Sequence, residues 1–101
     1  MIVFRMSAHM SASKVQKQFS FESDIEYIDF RSRSCANLEL KEDTAELGYR
    51  IAAHEGPRTL PSSLASENDF RRAMERISAL IQRARTREYG IEVVDLVRNH
   101  F

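Results

Sequence analysis

The chain has 101 residues, of which 43% are hydrophobic and 30% charged, and this is the size and composition of one globular domain. No apolar run approaches the roughly 20 residues of a membrane-spanning helix, so a membrane-embedded protein is excluded. Fifteen basic residues equal fifteen acidic ones, so no net charge draws the chain to nucleic acid or to an anionic membrane surface.

The N-terminal segment predicts a flexible arm over residues 1–14, because it is rich in Ser and Ala and lacks periodicity. Residues 15–101 are then expected to form a single α+β domain. The apolar run at the start, "MIV", is far shorter than the core of a secretory signal. The single cysteine, Cys35, cannot form an internal disulfide, which is typical of a reducing compartment and predicts a cytoplasmic protein.

The first predicted element of the domain is a strand in "VQKQFSF". Val15, Phe19 and Phe21 lie on one face of it, and polar residues occupy the other. After a turn at "ESD", the stretch "IEYIDFRSR" is interpreted as a second strand. In that strand Ile28 and Phe30 share one face, while the opposite face is apolar as well.

The stretch "CANLELKEDTAELGYRIAAHEG" fits two structures. Interpreted as strands, it is a hairpin with a turn at "KEDT" and alternating apolar residues on both sides, namely Leu38, Leu40, Leu47, Tyr49 and Ile51. Interpreted as a helix over residues 43–53, it places Leu47 and Ile51 at i and i+4. Because Gly48 weakens a helix interior by roughly 1 kcal/mol, the hairpin is predicted.

A long loop is predicted at "HEGPRTLPSSLASEN", which holds both prolines of the chain. Ser66 with Asp69 three residues later resembles a capping box. A helix is predicted from there to about Arg87, with Gly90 as the left-handed residue beyond its end. "IEVVDLV" follows as a strand. The predicted fold is α+β: an antiparallel β-meander of about four strands, one long amphipathic helix and a C-terminal strand returning to the sheet.

The predicted helix carries an apolar stripe about 120° wide at 100° per residue, formed by Phe70, Ala73, Met74, Ile77, Leu80, Ile81 and Ala84. Beside it lie Arg72, Arg76, Arg83 and Arg87, here called the arginine strip. Such a strip binds carboxylates or phosphates well, because each guanidinium presents a planar fork. The alternative, which the sequence favours, is that the arginines lay their methylene stems over the edge of the core and place their charged groups in water or against the acids of residues 22–46, where eight acids face three bases.

Chemical motifs are few. His9, His54, His100 and Cys35 lack the spacing of a metal site, and three isolated glycines exclude a phosphate-binding loop. His54 beside Glu55 is the one pair with acid–base potential, although an exposed loop histidine is the simpler interpretation. No catalytic residue, metal or cofactor is predicted, and the chain is expected not to be an enzyme.

The predicted function is that of a small non-enzymatic binding or regulatory module acting through protein–protein interaction. Strands with apolar residues on both faces leave surface to cover, which predicts a homodimer. The arginine strip and His54 are the candidate contacts for a partner, which could be an acidic protein. The alternative is a nucleic-acid-binding protein whose arginine strip contacts phosphates; the helix lacks interleaved aromatic residues for stacking on bases.

Overall fold

The computed structural model describes residues 3–12, 15–52, 54–56, 58–83 and 90–97. Within these residues the chain forms five strands and two helices, in the order β1 (Arg5–Ala12), β2 (Val15–Glu22), α1 (Tyr27–Leu38), β3 (Leu47–Ala52), β4 (Ser62–Ser63), α2 (Glu67–Arg83) and β5 (Gly90–Asp95). The predicted α+β class and the strands at β2, β3 and β5 are confirmed.

The sheet has the strand order β2-β1-β5-β3-β4. β1 pairs with β5 in parallel, whereas the other described neighbours are antiparallel. The predicted antiparallel meander is therefore wrong, and the sheet is mixed. A meander requires each strand to pair with the next one in the chain. Here β1 pairs with β5, so the pair at the centre of the sheet joins strands from the two ends of the chain.

β1 occupies residues that the sequence analysis assigned to an irregular arm, and for Arg5–Ala12 that prediction is wrong. Met6, Ala8 and Met10 alternate along the strand and are buried. The period of two was present in "FRMSAHM", but serine, alanine and histidine between the methionines give it little hydrophobic contrast. A strand at the centre of a sheet is held by pairing on both sides, so weak local patterning suffices.

α1 replaces the predicted second strand and the first strand of the predicted hairpin. Its buried residues are Phe30, Ser34, Cys35 and Leu38, a helical repeat that a six-residue window does not reveal. Ile28 is 74% exposed and Phe30 is fully buried, although a strand would place both on one face. The helix ends at Glu39, which has a left-handed φ of 60°.

β3 confirms the return strand of the predicted hairpin and excludes a helix at that place. Before it, the backbone N–H of Ala45 donates to the carbonyl of Lys41 at 3.0 Å, so the predicted turn at "KEDT" is present. That turn connects α1, rather than a strand, to β3.

α2 begins as the sequence predicted. The N–H of Asp69 donates to Ser66 Oγ at 3.2 Å, and Asp69 Oδ2 accepts the N–H of Ala65 at 3.0 Å, so both residues satisfy N–H groups around the helix start. Phe70, Ala73, Met74 and Ile77 are buried, and Leu80 and Ile81 are partly buried. The helix is described as Glu67–Arg83, so the predicted continuation through Ala84 to Arg87 lies outside the described residues.

The two helices pack on one face of the sheet around a cluster of aromatic rings. The Phe30 ring centroid lies 5.8 Å from Phe19, 5.1 Å from Phe21 and 4.8 Å from Phe70. Tyr27 stacks on Phe70 at 5.8 Å and donates its hydroxyl to the carbonyl of Leu64 at 2.8 Å. We call these five rings, Phe19, Phe21, Tyr27, Phe30 and Phe70, the aromatic cluster.

The opposite face of the sheet is polar on β1 and β2, where His9, Gln18 and Ser20 are exposed. On β3 and β5 it carries a cross-strand ion pair, with Arg50 Nη1 2.8 Å from Glu92 Oε1. Residues 25–30 add no strand to this face, because they include the start of α1; the apolar surface that the sequence assigned to a strand there is absent.

Candidate functional site

The arginine strip divides into two kinds of residue. Arg72 and Arg83 are exposed, and neither has an ion-pair or hydrogen-bond partner among the described residues. Arg76 is engaged within the fold. Arg87 lies outside the described residues. The uncommitted charges of the described strip are therefore those of Arg72 and Arg83.

Arg76 is held against β3 and the loop that follows it. Its Nη1 donates to the hydroxyl of Tyr49 at 3.0 Å, and its guanidinium lies 5.8 Å from the centre of that ring. Its Nη2 is 3.6 Å from Glu55 Oε1. The hydrogen bond to Tyr49 raises the pKa of Arg76 above its ordinary value, outweighing the opposing effect of burial. Arg76 thus links α2 to the sheet.

The other arginine pairing described on α2 is local to the helix. Arg71 Nη2 lies 2.8 Å from Glu67 Oε1, one turn earlier. Such exposed i,i+4 pairs stabilise a helix by about 0.3–0.5 kcal/mol. Arg71 therefore supports the first turns of α2.

The acids of residues 22–46 do not neutralise the described members of the arginine strip. In the described part of the chain, no ion pair joins one of these acids to Arg72, Arg76 or Arg83; the acidic partner of Arg76 is Glu55. Neutralisation by these acids is therefore wrong for these three arginines, whereas the exposed Arg72 and Arg83 agree with the favoured interpretation that charged groups of the strip lie in solvent. The sequence shows only that the net charges of the two segments are opposite, whereas an ion pair requires a nitrogen and an oxygen atom within about 4 Å of each other.

His54 lies at the start of the long loop with its side chain exposed. Its backbone N–H donates to the carbonyl of Ile51 at 3.1 Å. Glu55 Oε1 accepts the N–H of Ile51 at 2.9 Å and also faces Arg76. Because these contacts occupy the Glu55 carboxylate, its role is to hold the end of β3, and His54 is placed beside a structural acid.

Arg50 was not singled out from the sequence, yet it anchors the long loop. Only 6% of it is exposed. Besides its pair with Glu92, its Nε donates to the carbonyl of Thr59. The loop is therefore tied to the polar face of the sheet, and it contains β4, which pairs with β3. Arg50 and Glu92 are 42 residues apart in the chain, so only strand pairing reveals their contact.

Cys35 is 1% exposed. Burial raises the pKa of its thiol; the charge of Arg31 lowers it, and Glu42 and Asp95 add to the rise. A nucleophilic cysteine requires the opposite, a thiolate favoured near neutral pH. This environment is that of a packed, protonated core thiol.

The raised pKa of Cys35 predicts a loss of stability in alkali. Below the ordinary pKa of 9.0 the thiol is protonated in both the folded and the unfolded protein. Above pH 9.0 the thiol of the unfolded chain ionises first, which stabilises the unfolded state. The free energy of unfolding therefore falls as the pH rises through the raised pKa of the folded protein. Urea unfolding at about pH 8 and about pH 10 should show a larger loss for the wild type than for Cys35→Ala, whose other groups titrate alike. Equal losses of stability in the wild type and in Cys35→Ala would contradict a raised pKa at Cys35.

The described residues contain no group of three or more His, Cys, Asp or Glu side chains arranged to hold a metal ion. Neither helix, over its described length, is long and apolar enough to cross a bilayer.

No family model matches this sequence, and no curated protein matches it. A solved structure with a similar fold is the "AtNBR1-PB1 domain", with a TM-score of 0.54 and 19% sequence identity, covering 90% of this chain and 97% of that chain. At this identity the likeness concerns the fold alone. The chain therefore has a PB1-like mixed α+β fold.

Proposed function

We propose that this chain is a protein-interaction module that binds an acidic surface of a partner protein through Arg72 and Arg83. The observation that carries the proposal is that these two exposed guanidinium groups have no partner in the described structure, whereas Arg71 and Arg76 on the same helix are engaged. The PB1-like fold supports an interaction module over an enzyme.

The surface between the two arginines lacks a residue that stacks on bases, which favours a protein partner over a nucleic acid; the charge of Glu75 repels phosphates and carboxylates alike. Arg72 and Arg83 are eleven residues apart in the chain, a rise of roughly 16 Å along the helix. The exposed residues between them include Glu75 and Ala79. Neither residue stacks on a base. Two separated cations with a small residue between them suit two acidic side chains of a folded partner.

The test is binding to poly-L-glutamate, with a single-stranded oligouridylate as the competing probe. The double variant Arg72→Glu and Arg83→Glu should weaken poly-glutamate binding at least about tenfold, because two attractive pairs become repulsive. Binding isotherms at low and high salt measure this. Arg58→Glu is the control, since it reverses an exposed loop charge away from α2, and it should change affinity less than about twofold.

Two results would count against the arginine contact: no measurable binding of the wild type to poly-glutamate, or an equal loss in Arg58→Glu. Tighter and steeply salt-dependent binding of the oligouridylate would favour the nucleic-acid alternative instead.

We propose further that the module acts as a homodimer in the cytoplasm. Cytoplasmic location is supported by the single cysteine, which is buried and not in a disulfide, and imaging of a tagged chain tests it. Homodimerisation predicts a solution mass of twice 11.7 kDa. Its support in the structure is an open edge of the sheet rather than the apolar second face inferred from the sequence.

A further inference from the structure

β2 is an edge strand of the described sheet, and its outward backbone groups can be identified. The N–H of Ser23 donates to the carbonyl of Phe4 at 2.8 Å, and the register runs from Arg5↔Glu22 to Ala12↔Val15. In an antiparallel pair the residues facing the partner strand alternate with residues facing away. The N–H and carbonyl groups of Gln16, Gln18 and Ser20 therefore point away from β1, and no described residue bonds to them.

The opposite edge of the sheet offers little backbone for pairing, because its edge strand β4 is only two residues long. β4 pairs with β3 at Tyr49↔Ser62, and the Glu55 carboxylate accepts the next outward N–H, that of Ile51. Natural edge strands are usually blocked by proline, charge or a cover. β2 has no proline. Its outward positions carry uncharged side chains at Gln16, Gln18 and Ser20, and a charged one only at its last residue, Glu22. It is thus the sheet edge that is open to pairing.

The charged residue on the helix-facing side of β2 does not block that edge. Lys17 Nζ lies 3.9 Å from Glu39 Oε1 at the end of α1. A lysine without an ion-pair partner would oppose pairing, because an incoming strand would remove water from its charged ammonium group. Because Glu39 draws Lys17 toward its own helix, the strand edge itself stays accessible.

We infer that two copies of this chain associate by pairing β2 with β2, antiparallel, about a two-fold axis at Gln18. This inference deepens the proposed homodimer and rests on it. In that register Gln18 faces the partner's Gln18, and Gln16 faces the partner's Ser20. Each of these outward residues donates and accepts one bond across the axis, which gives about six new ladder hydrogen bonds.

The side chains of β2 are compatible with a second copy in this register, in which Lys17 lies opposite the partner's Phe19. Gln16 and Ser20 are polar. Val15, which is 55% exposed, would lie opposite the partner's Phe21, so an exposed apolar side chain gains an apolar neighbour. Within this register no like charges of residues 15–21 lie opposite each other. The pattern is therefore self-complementary, as a two-fold interface requires.

Charges on α1 support the same arrangement. Arg33 is exposed and without an ion-pair partner among the described residues, and it borders a cavity with Phe21 and Glu22. Glu39 lies level with Lys17. Measured along the strand direction, the partner's Glu39 would lie about two residues, roughly 7 Å, from Arg33. These opposite charges therefore lie at similar levels along the strands on both sides of the axis.

The experiment places charge on the axis. Gln18→Lys and Gln18→Glu should each give a monomer mass near 11.7 kDa, because each variant places like charges opposite each other across the axis. An equimolar mixture of the two should form a mixed dimer, with a dissociation constant about tenfold lower than that of either variant alone. His9→Lys is the matched control: it adds the same charge on the same face but one strand further in, opposite Gln18 in the β1–β2 register, and should stay dimeric.

Oxidative cross-linking supplies a second measurement. Gln18→Cys should form a disulfide-linked dimer, since facing hydrogen-bonded residues have Cα atoms about 5.5 Å apart. His9→Cys should not, and the native Cys35 is buried. A wild type that stays monomeric at high concentration would overturn both the inference and the homodimer. A dimer unaffected by either charge at Gln18 would overturn the β2 interface and leave the homodimer standing; poly-glutamate binding tests the arginine contact independently.

Discussion

Phe30→Ala should lower the free energy of unfolding by about 3–5 kcal/mol, the cost of removing a fully buried phenylalanine. Phe30 has no exposed surface and lies at the centre of the aromatic cluster, in contact with rings from β2 and α2. Its removal leaves a cavity where both layers of the fold meet. Urea unfolding followed by circular dichroism measures the change. If the alanine variant does not fold, Phe30→Leu keeps most of the volume and should show a smaller loss in the same direction.

Ile28→Ala is the matched control, two residues away in the same helix. Its side chain is 74% exposed, so the expected change is within about 0.5 kcal/mol. The pair also discriminates between the two structures proposed for this segment. A strand places both side chains on one face and predicts similar losses, whereas α1 places them on opposite sides. Similar losses in the two variants would contradict the helix.

Gly90→Ala should destabilise the protein by about 1–3 kcal/mol through steric overlap. A Cβ atom at Gly90 would lie 2.8 Å from the carbonyl oxygen of Ser7, which belongs to the backbone of β1 and cannot move without disturbing the sheet. The contact lies where β5 runs beside β1, the parallel pair at the centre of the sheet. Thermal or urea unfolding of the variant measures the loss.

Gly56→Ala serves as the control, because a Cβ atom there would meet nothing within 4 Å. It should be neutral or stabilise by up to about 1 kcal/mol, since alanine restricts the unfolded chain more than glycine does. Equal effects at the two positions would show that Gly90 is not sterically required. The sequence explained Gly90 as a left-handed helix end, but no described glycine has a positive φ. Its requirement is the close approach of β1.

The elements that local sequence predicted correctly share a strong local signal. β2 alternates phenylalanine with glutamine and serine, and α2 has a continuous apolar stripe together with a cap at Ser66 that the structure confirms. These features depend on neighbours within a few residues. The strand at β3 was favoured over a helix because Gly48 disfavours helix interiors, and the structure agrees.

The candidate site was only partly predictable. The helical repeat identified the arginine strip as a row of neighbouring cations, but it did not show that Arg76 is bound to Tyr49 and Glu55 while Arg72 and Arg83 have no described partner. Those contacts depend on where β3 and the long loop lie relative to α2. The open edge of β2 was likewise not visible, because the strand order decides which strand lies at the edge.

The sequence by itself determined the class of the fold, the strands β2, β3 and β5, and the start and buried face of α2, because each is set by the period of side chains along a short segment. Tertiary structure decided the rest. β1 is a strand because β2 and β5 flank it, α1 is a helix because Phe30 and Leu38 complete one buried face, and the mixed order of the sheet joins strands from the two ends of the chain. Such long-range pairings are chosen by the free energy of the whole core and leave no mark in the local pattern.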